Sequence, residues 1–187
     1  CSNLQLIGVH SHIGSQIFEV EGFRMAAAKV AAFAAEVRTR LNVTFAVVNL
    51  GGGFGIRYTE HDTPLPVARY VEAITDAIKQ HFGEHDYPLP EIWIEPGRSI
   101  VGEAGTTLYT IGTHKQIPGV RKYVSVDGGM TDNIRPALYD APYEAMIANR
   151  AHDEPEEVVS VAGKACESGD MLIRDIRLPR TQNGGIL

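Results

Sequence analysis

Six short segments of this sequence carry side chains whose types and spacing could do chemistry. The first, His10-Ser11-His12-Ile13-Gly14-Ser15-Gln16, sets two imidazoles on the same side of an extended strand. That pair could hold a metal, or lay one flat ring over a planar cofactor while Ser15 donates to an anionic group. The alternative is a buried histidine satisfied by backbone, which is the favoured reading for His10. The second, Asn49-Leu50-Gly51-Gly52-Gly53-Phe54-Gly55, lets the backbone come close to a ligand and turn several N–H groups toward one anion. Phosphate is the natural guest, and a tight structural turn the alternative. The dinucleotide fingerprint G-x-G-x-x-G fails, because Ile56 stands where its third glycine should be.

The third segment, Ile94-Glu95-Pro96-Gly97-Arg98, places a carboxylate and a guanidinium within one turn. A carboxylate leaving an apolar strand needs a cationic partner. That partner is either Arg98 or a protonated ring nitrogen, the second case leaving the guanidinium fork free for an anion. Asp127-Gly128-Gly129-Met130 follows, then Arg135-Pro136-Ala137-Leu138-Tyr139, whose Arg135 and Tyr139 share one face of a helical turn and suit a carboxylate. Last, Lys164-Ala165-Cys166-Glu167-Ser168-Gly169-Asp170 sets a thiol, a carboxylate and a hydroxyl side by side. A thiol of ordinary acidity can donate a proton at neutral pH; a small buried hydrophobe is the alternative reading of Cys166.

The elements that must position these groups are legible as periodicity. Apolar runs at 4–9, 45–50 and 92–94 lack the alternation of half-exposed strands and predict parallel strands covered on both faces. Between the first two, Phe23, Val30, Phe33, Val37 and Leu41 draw one stripe along a helix. Between the second and third, Val67, Tyr70, Val71, Ile74, Ile78 and Phe82 repeat it, with Pro64 near the start. The first three chemical segments thus fall at the carboxyl ends of strands, the working face of parallel α/β architectures. Beyond Arg98 the sequence turns β-rich, with strands predicted at 106–111, 122–126, 158–162 and 171–176 and a boundary near 102–105. The acidic stretch 153–157 reads as a solvated loop.

Composition narrows the function classes. The chain has 187 residues, 44% hydrophobic and 21% charged, enough for a globular core and against disorder. A formal charge of −6 argues against nucleic acid as a partner. The most apolar stretch, 25–37, is interrupted by Lys29 and Glu36 and falls short of the roughly 20 residues that span a bilayer, so no membrane partner is expected. Two cysteines, Cys1 and Cys166, make no disulfide framework, and a reducing, cytoplasmic setting fits. The chain opens at Cys1 almost directly into an apolar run and ends within a turn-like segment, so it is read as part of something longer.

Taken in order, HSHIGSQ at 10–16, GGGFG at 51–55, EPGR at 95–98, DGGM at 127–130, RPALY at 135–139 and CESGD at 166–170 closely resemble the alanine-racemase-like, fold type III family of pyridoxal phosphate enzymes. The first three blocks are common to its ornithine and arginine decarboxylases, while RPALY and CESGD point to the diaminopimelate decarboxylase branch. The resemblance implies an α/β fold. Residues 1–104 would be the later βα units of a pyridoxal phosphate-binding (β/α)8 TIM barrel, and 105–187 part of a β-rich C-terminal domain of barrel or sandwich type. It implies a homodimer with active sites at the interface and an amino-acid substrate, meso-2,6-diaminopimelate, converted to L-lysine and CO2.

Carried over block by block, the resemblance places His12 over the cofactor ring. It places Ser15, the backbone of Gly52 and Gly53, and the Gly97–Arg98 turn at the phosphate. Glu95 would face the pyridine nitrogen and keep it protonated, making the ring an electron sink. Arg98, Arg135 and Tyr139 would grip the distal carboxylate, Glu167 would read the distal amino group across the interface, and Cys166 would return a proton to Cα. The family holds its cofactor on a lysine from an early barrel strand. None of the five lysines here, Lys29, Lys79, Lys115, Lys122 and Lys164, follows a buried parallel strand, so the chain alone is expected to be inactive. The competing readings are a decarboxylase of ornithine or arginine type, a non-catalytic relative, and a metal-dependent amidohydrolase using its H-x-H pair as ligands. That last would need further ligands at later strand ends, where this chain offers glycines and Glu-Pro-Gly-Arg; no metal site is assigned.

Overall fold

The structure is a computed structural model and describes residues 3–187; Cys1 lies outside the described residues. Contacts divide the chain into two compact units, one of Cys1–Arg57 with His61–Gly105 and one of Tyr58–Glu60 with Thr106–Leu187.

In the first unit the order is β1 (Gly8–His10), α1 (Glu21–Leu41), β2 (Val47–Asn49), α2 (Val67–Glu84), β3 (Glu91–Trp93) and a short α3 (Arg98–Val101). The three strands form a parallel sheet in the order β1-β2-β3, with Val9, Val48 and Ile92 in register. These three side chains meet the helices; Phe23 of α1, Tyr70 of α2 and Phe54 complete the core. Phe54 stacks on Tyr70 at 4.6 Å between centroids and meets Phe23 edge-on at 5.3 Å. Each such ring contributes roughly 1.5–3 kcal/mol by leaving water.

Both helices lie where the periodicity places them, but their buried faces are turned from the expected stripes. On α1, Phe33 and Leu41 are 49% and 68% exposed, and the buried face is Phe23, Ala26, Ala27, Val30, Ala31 and Ala34. The two helices pack on each other through small residues, with Ala73 and Ala77 buried on α2. Alanines let helix backbones approach closely, and these buried alanines carry little hydrophobic signal. Val67 and Val71 are likewise exposed, and α2 starts immediately after Pro66 rather than Pro64. α1 stops where Asn42 adopts the left-handed conformation that asparagine tolerates (φ 54°).

The strands are shorter than their apolar runs. Leu4 and Leu6 are exposed and precede β1, and cover of the face away from the helices is uneven: Val47 is buried there, while Trp93 is 47% exposed. Successive side chains point to opposite faces, so Gly8, Val47 and Glu91 share that far face with His10, Asn49 and Trp93. His10, Asn49 and Glu95 thereby come to one edge of the sheet.

In the second unit β4 (Ile111–Ile117), β5 (Arg121–Val126), β6 (Glu157–Ala162) and β7 (Met171–Leu178) form a sheet in that order. β4/β5 and β6/β7 are antiparallel, and β5/β6 are parallel, joined by a crossover that contains α4 (Arg135–Tyr139). The expected strand at 106–111 is corrected to 111–117: of the earlier residues Thr110 bridges Ile186 and Tyr109 exchanges backbone hydrogen bonds with Leu187. β4 is an edge strand carrying His114, Lys115 and Gln116, so the polar composition that protects an open edge concealed it. Ile111, Val124, Val126, Ile147, Val159 and Val161 form the core of this unit.

Candidate active site

The first unit brings its three chemical segments together at the strand tips through backbone pairing. Ser11 N–H donates to Asn49 O at 2.9 Å, and Glu95 N–H to Gly51 O at 2.8 Å. Farther out, Ile17 N–H donates to Gly53 O and Gly55 N–H to Ile17 O, both at 2.9 Å. The glycines are required by this closeness: a Cβ on Gly52 would lie 2.0 Å from Glu95 O, and one on Gly53, whose φ is +90°, 2.0 Å from Gly14 O. His12 sits over the same turn, its Nδ1 3.4 Å from Gly52 N. Ser15 lies beside Gly53, and Gly97 N–H donates to Glu95 O at 2.9 Å. His12, Ser15, Gly52, Gly53, Glu95 and Gly97 therefore share one rim.

Glu95 is held in place from β1 and β2. Asn49 Nδ2 donates to Oε1 at 2.8 Å, and His10 Nε2 lies 3.2 Å from Oε2. The Asn49 hydrogen bond, helped by that of His10 and the imidazole charges, holds the Glu95 carboxyl below the usual glutamate range. His10 is thus an exposed partner of a carboxylate and not a buried histidine, which corrects the reading favoured from sequence. Arg98 donates instead to Gln16 Oε1 at 3.2 Å. Gln16 also exchanges hydrogen bonds with Ile56, donating to its O at 2.6 Å and accepting from its N at 3.3 Å. Asn49 and Gln16 were missed by sequence reasoning; each lies inside a recognised motif, but amides advertise no chemistry of their own.

The second unit carries the remaining candidates. Arg135 opens α4, as expected, but its nearest partners are two tyrosines outside the motif. Its Nη1 donates to Tyr143 Oη at 3.0 Å, and its guanidinium carbon lies 4.7 Å from the Tyr58 ring centroid. Tyr139, four residues on, is 71% exposed. Cys166 and Glu167 are exposed in the loop between β6 and β7. The turn at 127–133 is tied by carboxylates: Asp127 accepts from Thr110 N at 2.8 Å, and Asp132 from Tyr109 Oη at 2.7 Å and Gly129 N at 3.1 Å. Burial, followed by the hydrogen bond to Asp132 and then its charge, pushes the Tyr109 hydroxyl up to about 12. Among the described residues, no group of three or more His, Cys, Asp or Glu is placed to share a metal ion, and no helix is long and apolar enough to cross a membrane.

Residues 1–102 match the family model for the pyridoxal-dependent decarboxylase, pyridoxal binding domain. The diaminopimelate decarboxylase of Bacillus subtilis (strain 168) is 58% identical over 185 residues, covering 99% of this chain and 42% of that protein. That of Staphylococcus aureus (strain COL) is 50% identical over 183 residues, covering 98% and 42%. Among solved structures, diaminopimelate decarboxylase from M. jannaschii in co-complex with L-lysine aligns at a TM-score of 0.83 and 34% identity, covering 96% of this chain and 40% of that one. The chain therefore spans 42% of the length of these two curated relatives. With more than half of its residues matching the family model, the chain belongs to the pyridoxal-dependent decarboxylases.

Proposed function

We propose that this chain supplies the cofactor cradle and the substrate-reading loops of a decarboxylase that converts meso-2,6-diaminopimelate to L-lysine and CO2. The observation that carries the reading is an ionised Glu95 fixed by Asn49 and His10 on the same rim as a glycine turn with no room for side chains. The residues fit pyridoxal phosphate. A backbone cradle at 51–53 suits a phosphate, a carboxylate suits a protonated pyridine nitrogen, and the buried Ser11 Oγ has no partner of its own. The substrate assignment is supported by relatives of that name at 58% and 50% identity.

In this reading His12 would cover the cofactor ring, and Ser15, Gly52, Gly53 and the Gly97–Arg98 turn would hold its phosphate. Bound there, the cofactor supplies the electron sink that loss of CO2 requires. Glu95 would favour the protonated ring nitrogen, because a carboxylate beside that atom stabilises the cationic form. Arg98, and Arg135 with Tyr139, would each serve the distal carboxylate; the stacking of Arg135 on Tyr58 fixes the direction of its planar fork. Glu167 binds the distal ammonium, and Cys166 gives its thiol proton to Cα and regains one from water. The first unit is assigned to a (β/α)8 barrel and the second to a β-rich domain, in a cytoplasmic homodimer with Glu167 serving the neighbouring subunit's site.

The test is Glu95→Gln in the protein carrying this sequence. Turnover should fall at least about 100-fold, because the amide cannot keep the ring nitrogen charged, with cofactor affinity changed far less. Equal losses in both would remove Glu95 from its assigned role, and unaltered lysine formation would remove the reading.

A further inference from the structure

The loop bearing Cys166 and Glu167 is exposed and irregular, yet both proposed tasks demand placement to a fraction of an ångström. What places it is a side chain outside the proposed chemistry. Asp170 is only 3% exposed, a buried carboxylate on a loop. Its Oδ1 accepts from Met130 N at 2.7 Å, and its Oδ2 from Ala165 N at 2.8 Å. One oxygen thus holds the 127–133 turn and the other holds the residue immediately before Cys166. The backbones are laid together by two more bonds, Lys164 N–H to Gly128 O at 3.1 Å and Gly163 N–H to Asp170 O at 2.8 Å. The room for the carboxylate is made by glycines: a Cβ on Gly163 would lie 2.2 Å from either Asp170 oxygen, and one on Gly129 2.7 Å from them. A buried carboxylate with its oxygens committed to N–H groups of two different segments is a directional clamp, costly to leave half-satisfied.

We infer that Asp170 is a positioning residue that fixes the Cys166–Glu167 loop against the 127–133 turn, so that the thiol is presented at one place. The consequence for activity rests on the proposed role of Cys166; the clamp itself does not.

Two measurements test this on the protein carrying this sequence. Amide hydrogen exchange in the unaltered protein should show Met130 and Ala165 protected far more strongly than the exposed amides at 166–168, and unprotected amides there would overturn the clamp without any variant having to fold. Asp170→Asn keeps one acceptor and turns an NH2 toward the other amide, so one of the two should lose its protection. The same variant should lower kcat about 10- to 100-fold with cofactor affinity unchanged. In a Cys166→Ala background its cost in kcat should shrink to less than about 3-fold, because the thiol being positioned is gone and what remains, through Glu167, falls on KM. An equal loss in both backgrounds would mean that Asp170 acts on the fold and not on the thiol, and would overturn the positioning role. Full kcat in Cys166→Ala alone would instead sink the proton-donor reading, with the amide exchange still deciding the clamp.

Discussion

The strand-tip rim of the first unit and the loop cluster of the second are built by opposite means. The rim is made by backbone: parallel strands in register bring residues 10–16, 49–55 and 95–98 to one edge, and main-chain hydrogen bonds join them across glycines. The loops of the second unit are made by side chains: Asp127, Asp132 and Asp170 each accept from main-chain N–H groups that no strand or helix satisfies. A backbone-built site tolerates changes of charge and rejects added volume. A carboxylate-built site rejects changes of charge as well, because its shape is an electrostatic and hydrogen-bonding solution that a neutral isostere cannot reproduce.

The contrast can be broken at either end. The largest effect belongs to Gly52→Ala, whose methyl would meet a carbonyl oxygen of the adjoining segment rather than a flexible side chain. It should cost about 3 kcal/mol or more in thermal or urea unfolding, and an unchanged midpoint would show that the rim can yield. Next comes Glu157→Gln. Burial alone would raise this carboxyl, but the Lys122 ammonium together with the hydroxyl and N–H of Thr181 outweighs it and brings the group from 4.5 to about 2. A lowered folded value stabilises above the ordinary value and is lost as pH falls. The native protein should therefore exceed the variant by up to about 3 kcal/mol at pH 7, with the gap closing between about pH 4.5 and pH 2. A gap that persists at pH 2 would contradict the ionic origin.

Tyr109→Phe should have a smaller effect, removing the hydroxyl that donates to Asp132 and lowering Tm by about 2–4 °C. An Asp132 carboxyl that fails to rise toward the ordinary range in this variant, followed by carboxyl NMR, would discount the tie. The smallest stability effect is expected of Asn49→Ala. The unfolding midpoint should fall by no more than about 2 °C, for the lost Gly51 N–H bond to Asn49 Oδ1, since Asn49 and Glu95 meet at an exposed rim, while the Glu95 titration moves up toward the usual glutamate value. A large loss of stability would mean that side chains support the rim after all.

Much of the rim was legible because each apolar run ends in residues that stand out from an apolar strand: His12 and Ser15, the triple glycine, Glu95 with Arg98. The helices were legible as periods but not as faces, since Ala26, Ala31 and Ala34 contribute close approach and little hydrophobic contrast. β4 was displaced by several residues because an edge strand is polar along its length. Asn49, Gln16, Tyr58, Tyr143 and Asp170 escaped notice for a shared reason. Their work is to hold another residue, and a sequence does not print which residue is being held.

The amino-acid sequence by itself determined the family, the α/β class and the segments that meet at the strand tips, because these depend on residue type and local spacing. Only the tertiary structure decided that His10 and Asn49 share Glu95, that Arg98 reaches Gln16, and that Asp170 joins two loops. Those pairings span residues separated by up to 85 positions, and hydrogen-bond geometry across such distances is set by strand register and loop packing, which no local pattern encodes.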